Sequence, residues 1–88
     1  METLKLWRIA NATIRSIKDK TDFILDADVA ELDIVHPGDL IDNKRCKIDA
    51  CKVARKKLTE VYALIEKIEE QEKEDIINIE SLIDESML

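Results

Sequence analysis

The chain has 88 residues, a net charge of −6 from 14 basic and 20 acidic side chains, and 45% hydrophobic but only 3% aromatic residues. A single domain of this size buries only about 60–65% of the surface its unfolded chain exposes, so its stability calls for a supplement: disulfides, a metal or a partner chain. One glycine excludes glycine-rich phosphate loops, and one histidine with two cysteines cannot complete a four-ligand zinc site within the chain.

Cys46 and Cys51 would stand about 140° apart on a helix, too divergent for an easy disulfide, which predicts free thiols and a reducing, cytoplasmic setting. The first residues lack the apolar run and small-residue cleavage site of a secretory leader. No stretch approaches the roughly 20 apolar residues of a membrane span, so no membrane partner is expected. Internal repeats, low-complexity tracts and Gly/Ser linkers are absent from the sequence.

The first element is a helix over 3–18, with Leu4, Trp7, Ala10, Ile14 and Ile17 on one stripe and Lys5, Arg8, Arg15 and Lys18 opposite. Thr3 is placed to cap it, and Trp7 is expected in the core. Residues 22–35 fit two periods. As a helix capped by Thr21 or Asp22 they align Phe23, Ala27, Ala30 and Ile34, and as a strand they alternate Leu25, Ala27 and Val29 with Asp26 and Asp28. The aspartates and alanines favour the helix.

A turn over 36–45 follows. Pro37 biases His36 away from helical geometry, Gly38 admits a turn that other residues resist, and Asp39 can cap a short helical turn at Leu40 and Ile41. The clearest element is a long amphipathic helix over 46–72. Ala54, Leu58, Val61, Ile65 and Ile68 alternate spacings of four and three, the seam of a coiled coil or of a helical hairpin, and mark the expected protein interface. A terminal helix over 74–86 continues the spacing with Ile76, Ile79, Ile83 and Met87. Glu72, Lys73, Glu74 and Asp75 interrupt the seam, and Asp75 is a candidate cap, but no glycine or proline forces a break there. These elements make an all-α domain of three or four helices, expected to form a homodimer.

Charge is sharply segregated. Residues 1–43 carry a net −4, residues 44–57 a net +6 and residues 58–88 a net −8. The basic block is Lys44, Arg45, Lys47, Lys52, Arg55, Lys56 and Lys57. It occupies the start of the long helix, where the macrodipole disfavours cations, while Glu69, Glu70 and Glu72 stand farther along toward the end that disfavours anions. An antiparallel partner laying acidic on basic would compensate. Intrahelical pairs expected on this surface are Lys56–Glu60 and Glu69–Lys73, set against repulsion between Glu66 and Glu70.

No motif supports catalysis: the sole histidine, His36, is far in sequence from both cysteines, and Asp26, Asp28, Glu31 and Asp33 lack the spacing of a calcium loop. No catalytic, metal or cofactor site is expected. The favoured function is therefore a non-catalytic module that binds another protein to regulate or inhibit it. Two alternatives are a small nucleic-acid-associated regulator contacting phosphates through residues 44–57, and a purely structural dimerisation protein. The basic block lacks interleaved aromatics to stack bases, which ranks the nucleic-acid reading lower.

Overall fold

The computed structural model describes residues 2–87, with side chains described for residues 3–85. Met87, the last member of the terminal apolar pattern, has its side chain outside the described residues. Two α-helices, α1 (Glu2–Ala30) and α2 (Pro37–Met87), are joined by one turn of 3-10 helix at Glu31–Asp33. They pack as an antiparallel hairpin measuring 79 × 15 × 14 Å. Its radius of gyration is 21.6 Å, against about 12 Å for a globule of this length.

Among the described residues, the elements anticipated as three or four helices are thus two α-helices. Helices expected at 3–18 and 22–35 merge because no glycine or proline lies between Glu2 and Pro37 and one inward row runs unbroken: Leu6, Ala10, Thr13, Ile17, Lys20, Ile24 and Ala27. Thr21 sits mid-helix, its hydroxyl donating to the Lys18 carbonyl at 2.9 Å, and Thr3 lies inside α1 rather than capping it. The strand alternative for 22–35 is not adopted.

The region read as a turn over 36–45 is already helical from Pro37. Proline's missing N–H costs nothing in a first turn, and the Leu40 amide donates to the His36 carbonyl. Gly38 has no positive φ, so its turn-making freedom is unused, and Asp39 lies within the first turn. The separation expected between 46–72 and 74–86 does not occur. Across it, Lys73 pairs with Glu69 at 3.6 Å, and the Gln71 amide donates to the Asp75 carboxylate at 3.0 Å. Asp75 is helical on both sides and caps nothing.

Where the two helices meet, both present residues at alternating spacings of three and four. The α2 row is Leu40, Asn43, Lys47, Ala50, Ala54, Lys57, Val61, Leu64, Ile68 and Gln71. The buried core is small: Ala10, Ala50, Ala54, Val61 and Ile68. Three of these are alanines, which let the helices approach closely but remove little apolar surface from water.

Candidate interaction surface

The turn end of the hairpin is fixed by polar contacts. Asn43 donates to the Ala27 carbonyl at 3.1 Å, satisfying a group in the last turn of α1. Lys47 reaches Glu31 at 2.7 Å and Asp28 at 3.0 Å, and Lys44 reaches Glu31 at 2.6 Å. Hydrogen bonds from Lys44 and then Lys47 pull the Glu31 carboxyl down to about 2, and those from Glu31 and Asp28 raise Lys47 above its ordinary value. Two of the seven cations in the basic block are therefore engaged within the chain. Lys57 is half-buried in the inward row, while Arg45, Lys52, Arg55 and Lys56 remain exposed. Among the described residues Lys56 and Glu60 do not form the expected ion pair.

The expected interface seam divides. Ala54, Val61 and Ile68 are buried against α1, whereas Leu58 and Ile65 are 54% and 41% exposed. Those two belong to a second row of α2, displaced one residue from the inward row and keeping the same alternating spacing: 48, 51, 55, 58, 62, 65, 69, 72, 76, 79, 83. Along the hairpin body this outer row exposes Ile48, Leu58, Tyr62 and Ile65, and beyond it Ile76, Ile79 and Ile83. Arg55, Glu69 and Glu72 are its charged members.

The first helix contributes to the same side. A groove of about 250 Å³ on one side of the hairpin is lined by Phe23 of α1 with Cys46, Asp49 and Val53 of α2, and Ile9 meets Lys67 and Gln71 in a similar groove. Leu4, Trp7 and Ile14 fall on the other flank of α1, beside the outer row, and all three are exposed. Trp7, expected in the core, is 44% exposed because Leu6 and Ala10 take the inward positions.

No protein-family model matches the chain, and no curated protein or solved structure is similar enough to it to count as a match. The surface must be read from its own chemistry.

Past Asp75 every described side chain through Glu85 is exposed, the first turns of α1 lying beside Lys67 and Gln71. Residues 76–87 therefore project as a single helical arm. Both cysteines are free and exposed, and no cluster of three or more His, Cys, Asp or Glu among the described residues is arranged to hold a metal. No described helix is long and apolar enough to cross a membrane. The inward row of α1, with Leu6 and Ile24, and the Glu31–Lys44–Lys47 cluster escape a sequence reading. The former was masked by the larger residues Leu4, Trp7 and Phe23 beside it. The latter joins residues that sequence separation alone does not connect, although a charge search across the Pro37 turn would have paired them.

Proposed function

We propose that this chain is a protein-binding module without chemistry of its own, which regulates or inhibits another protein through the apolar side of its hairpin. The observation that carries this reading is the outer row of α2 with Leu4, Trp7 and Ile14: an ordered, heptad-spaced apolar surface on a hairpin whose own core is five small or medium side chains. Contiguous apolar surface of this kind marks interaction sites. A heptad row also suits a helical partner, which would complete a coiled-coil or bundle contact. Self-association to a homodimer belongs to the same reading. The two free thiols fit a cytoplasmic setting.

The nucleic-acid alternative rests on Lys52, Arg55, Lys56 and Lys57 of the basic block, of which Lys57 is half-buried and the other three are exposed on the outward side of α2. With Lys44 and Lys47 committed to Glu31, that face offers few charges for phosphates. The purely structural alternative needs the same apolar side but no foreign partner.

Affinity capture from nuclease-treated lysate with the native chain and with a Leu58→Asp/Ile65→Asp chain separates the three. A stoichiometric protein held by the native chain and lost from the double variant supports the proposal. Material lost to nuclease instead, with salt-dependent duplex binding abolished by removing Lys52, Arg55, Lys56 and Lys57 together, replaces it with the nucleic-acid reading. Recovery of the chain with only itself leaves the structural role.

A further inference from the structure

The surface of the chain is larger than a stable monomer should carry. A 10.1 kDa globular protein exposes about 5,300 Å² by the usual size scaling, whereas this chain exposes 7330 Å², an excess of about 2,000 Å². Doubled, that is about 4,000 Å², within the range of obligate homodimer interfaces. Ile48, Leu58, Tyr62, Ile65, Ile76, Ile79 and Ile83, all exposed, lie on one row of α2 that keeps its spacing from the hairpin body onto the arm.

Charge along that helix fixes the direction of a self-complementary contact. The basic block is centred near residue 51, and the acidic residues follow from Glu66 onward. A parallel copy would lay like on like, and an antiparallel copy lays acidic arm on basic body.

The row contains two interleaved seven-residue series, and in antiparallel packing each series meets the other, so allowed registers differ by steps of seven. One register sets Tyr62 against Ile65, Arg55 against Glu72, Cys51 against Ile76 and Ile48 against Ile79. Its apolar–charged mismatches are Leu58 with Glu69 and Lys44 with Ile83, and Lys44 is already turned toward Glu31. A slide of seven one way sets Ile48 on Glu72, Cys51 on Glu69 and Arg55 on Ile65. A slide the other way sets Arg55 on Ile79, Tyr62 on Glu72 and Ile65 on Glu69. Slides of two heptads either uncover the isoleucines of the arm or bring Glu69 against Glu72.

We infer that the outer row of α2 is occupied by a second copy of this chain running antiparallel, with each arm seated on the basic, turn-proximal part of the other copy's hairpin and Arg55 facing Glu72 across the contact. This rests on the self-association part of the protein-binding reading and names the occupant of the outer row. Trp7 and Ile14 of each copy flank the centre of the contact, so two hairpins close into a four-helix body there.

The test uses the free thiol of Cys51. In the full chain carrying Cys46→Ser and Ile76→Cys, oxidation with copper phenanthroline joins Cys51 of one copy to residue 76 of the other. The two positions are about 37 Å apart along one helix, so no link forms within a chain. The expected result is a covalent dimer with the 51–76 link identified by peptide mass, little or none with Cys46→Ser alone, with Cys46→Ser/Ile83→Cys, or with Cys46→Ser/Ser81→Cys. A 51–51 link, a 51–83 link or no 51–76 link overturns the arrangement.

In parallel, sedimentation of the otherwise native chain should show a dimer that Arg55→Glu weakens roughly tenfold and Arg55→Glu/Glu72→Arg restores, two symmetric pairs each being of modest strength. A monomer at all concentrations up to about 100 μM, or no rescue by the double swap, overturns it as well. Capture of a foreign protein by a monomeric chain would leave the protein-binding reading standing while this inference fails, and loss of both capture and dimer would remove the two together.

Discussion

The hairpin body and the arm are parts of one helix with one sequence period, yet they differ in everything that follows from having a neighbour. In the body, Val61 and Ile68 are 6% and 4% exposed against α1, while on the arm Ile76, Ile79 and Ile83 are each more than half exposed. Heptad spacing therefore records where a helix can be packed, and the length of the other helix decides where it is. An isolated helical stretch as short as the arm is marginal in water, so the arm draws its order from continuity with α2 and, in the proposed dimer, would draw more from the second copy.

The largest effect expected from this contrast comes from placing a carboxylate on each row. Val61→Asp introduces an unpaired charge between α1 and α2 and should cost about 3 kcal/mol or more, enough to unfold so small a core. Leu58→Asp, three residues away on the outer row, should leave helix content by circular dichroism intact at micromolar dilution while lowering the mass seen in sedimentation. Equal loss of helicity in both variants would erase the distinction between the rows.

A finer version compares body with arm. Ile68→Ala should cost about 2–4 kcal/mol in urea unfolding, in line with truncation of a buried isoleucine. Ile79→Ala should change stability by less than about 0.5 kcal/mol below the concentration at which the chain associates, and weaken association above it. An Ile79→Ala cost matching that of Ile68→Ala at dilution would mean the arm is packed within its own chain.

A smaller effect tests the closed end of the body. Because the Glu31 carboxyl lies at about 2 in the folded chain and at its ordinary 4.5 in the unfolded one, the unfolded chain binds more protons between these values. The contribution is present above pH 4.5 and is lost as the pH falls through about 2. Urea midpoints measured from pH 5 to 2 should decline in the native chain and decline less in Glu31→Gln, while Asp33→Asn, outside the cluster, should behave as the native chain. Identical profiles for native and Glu31→Gln would remove the Lys44–Glu31–Lys47 cluster as a source of stability.

The helical class and the presence of one long amphipathic helix in the second half were legible because apolar period survives in sequence, but its extent, Pro37–Met87 rather than 46–72, was not. What was lost was the choice between adjacent rows. Leu58 and Ile65 outrank Lys57 and Leu64 in a sequence reading because they make the more hydrophobic pair, yet Lys57 and Leu64 take the inward positions. Aligning α1 with α2 explains this. Thr13, Lys20, Asn43 and Lys47 share the inward rows with small apolar residues, and a polar member can occupy such a row by burying its stem while its head reaches outward. The breaks expected near residues 20 and 73 failed for a related reason: charged and hydroxyl residues suggest caps, but only a proline or glycine compels an end, and the single Pro37–Gly38 pair marks the one place where the chain reverses.

That pair also supplies the smallest test. Gly38 lies in the first turn of α2 at negative φ, and a β-carbon there would meet nothing within 4 Å. Glycine contributes no turn geometry and only widens the unfolded ensemble, so Gly38→Ala should stabilise the hairpin by about 0.5 kcal/mol. Because the substitution lies on the body, the gain should appear in urea unfolding at dilution and leave the dimer dissociation constant unchanged. A destabilising result would mean that residue 38 leaves helical geometry in solution and that α2 begins later than Pro37, which would also loosen the placement of Asn43 on the Ala27 carbonyl.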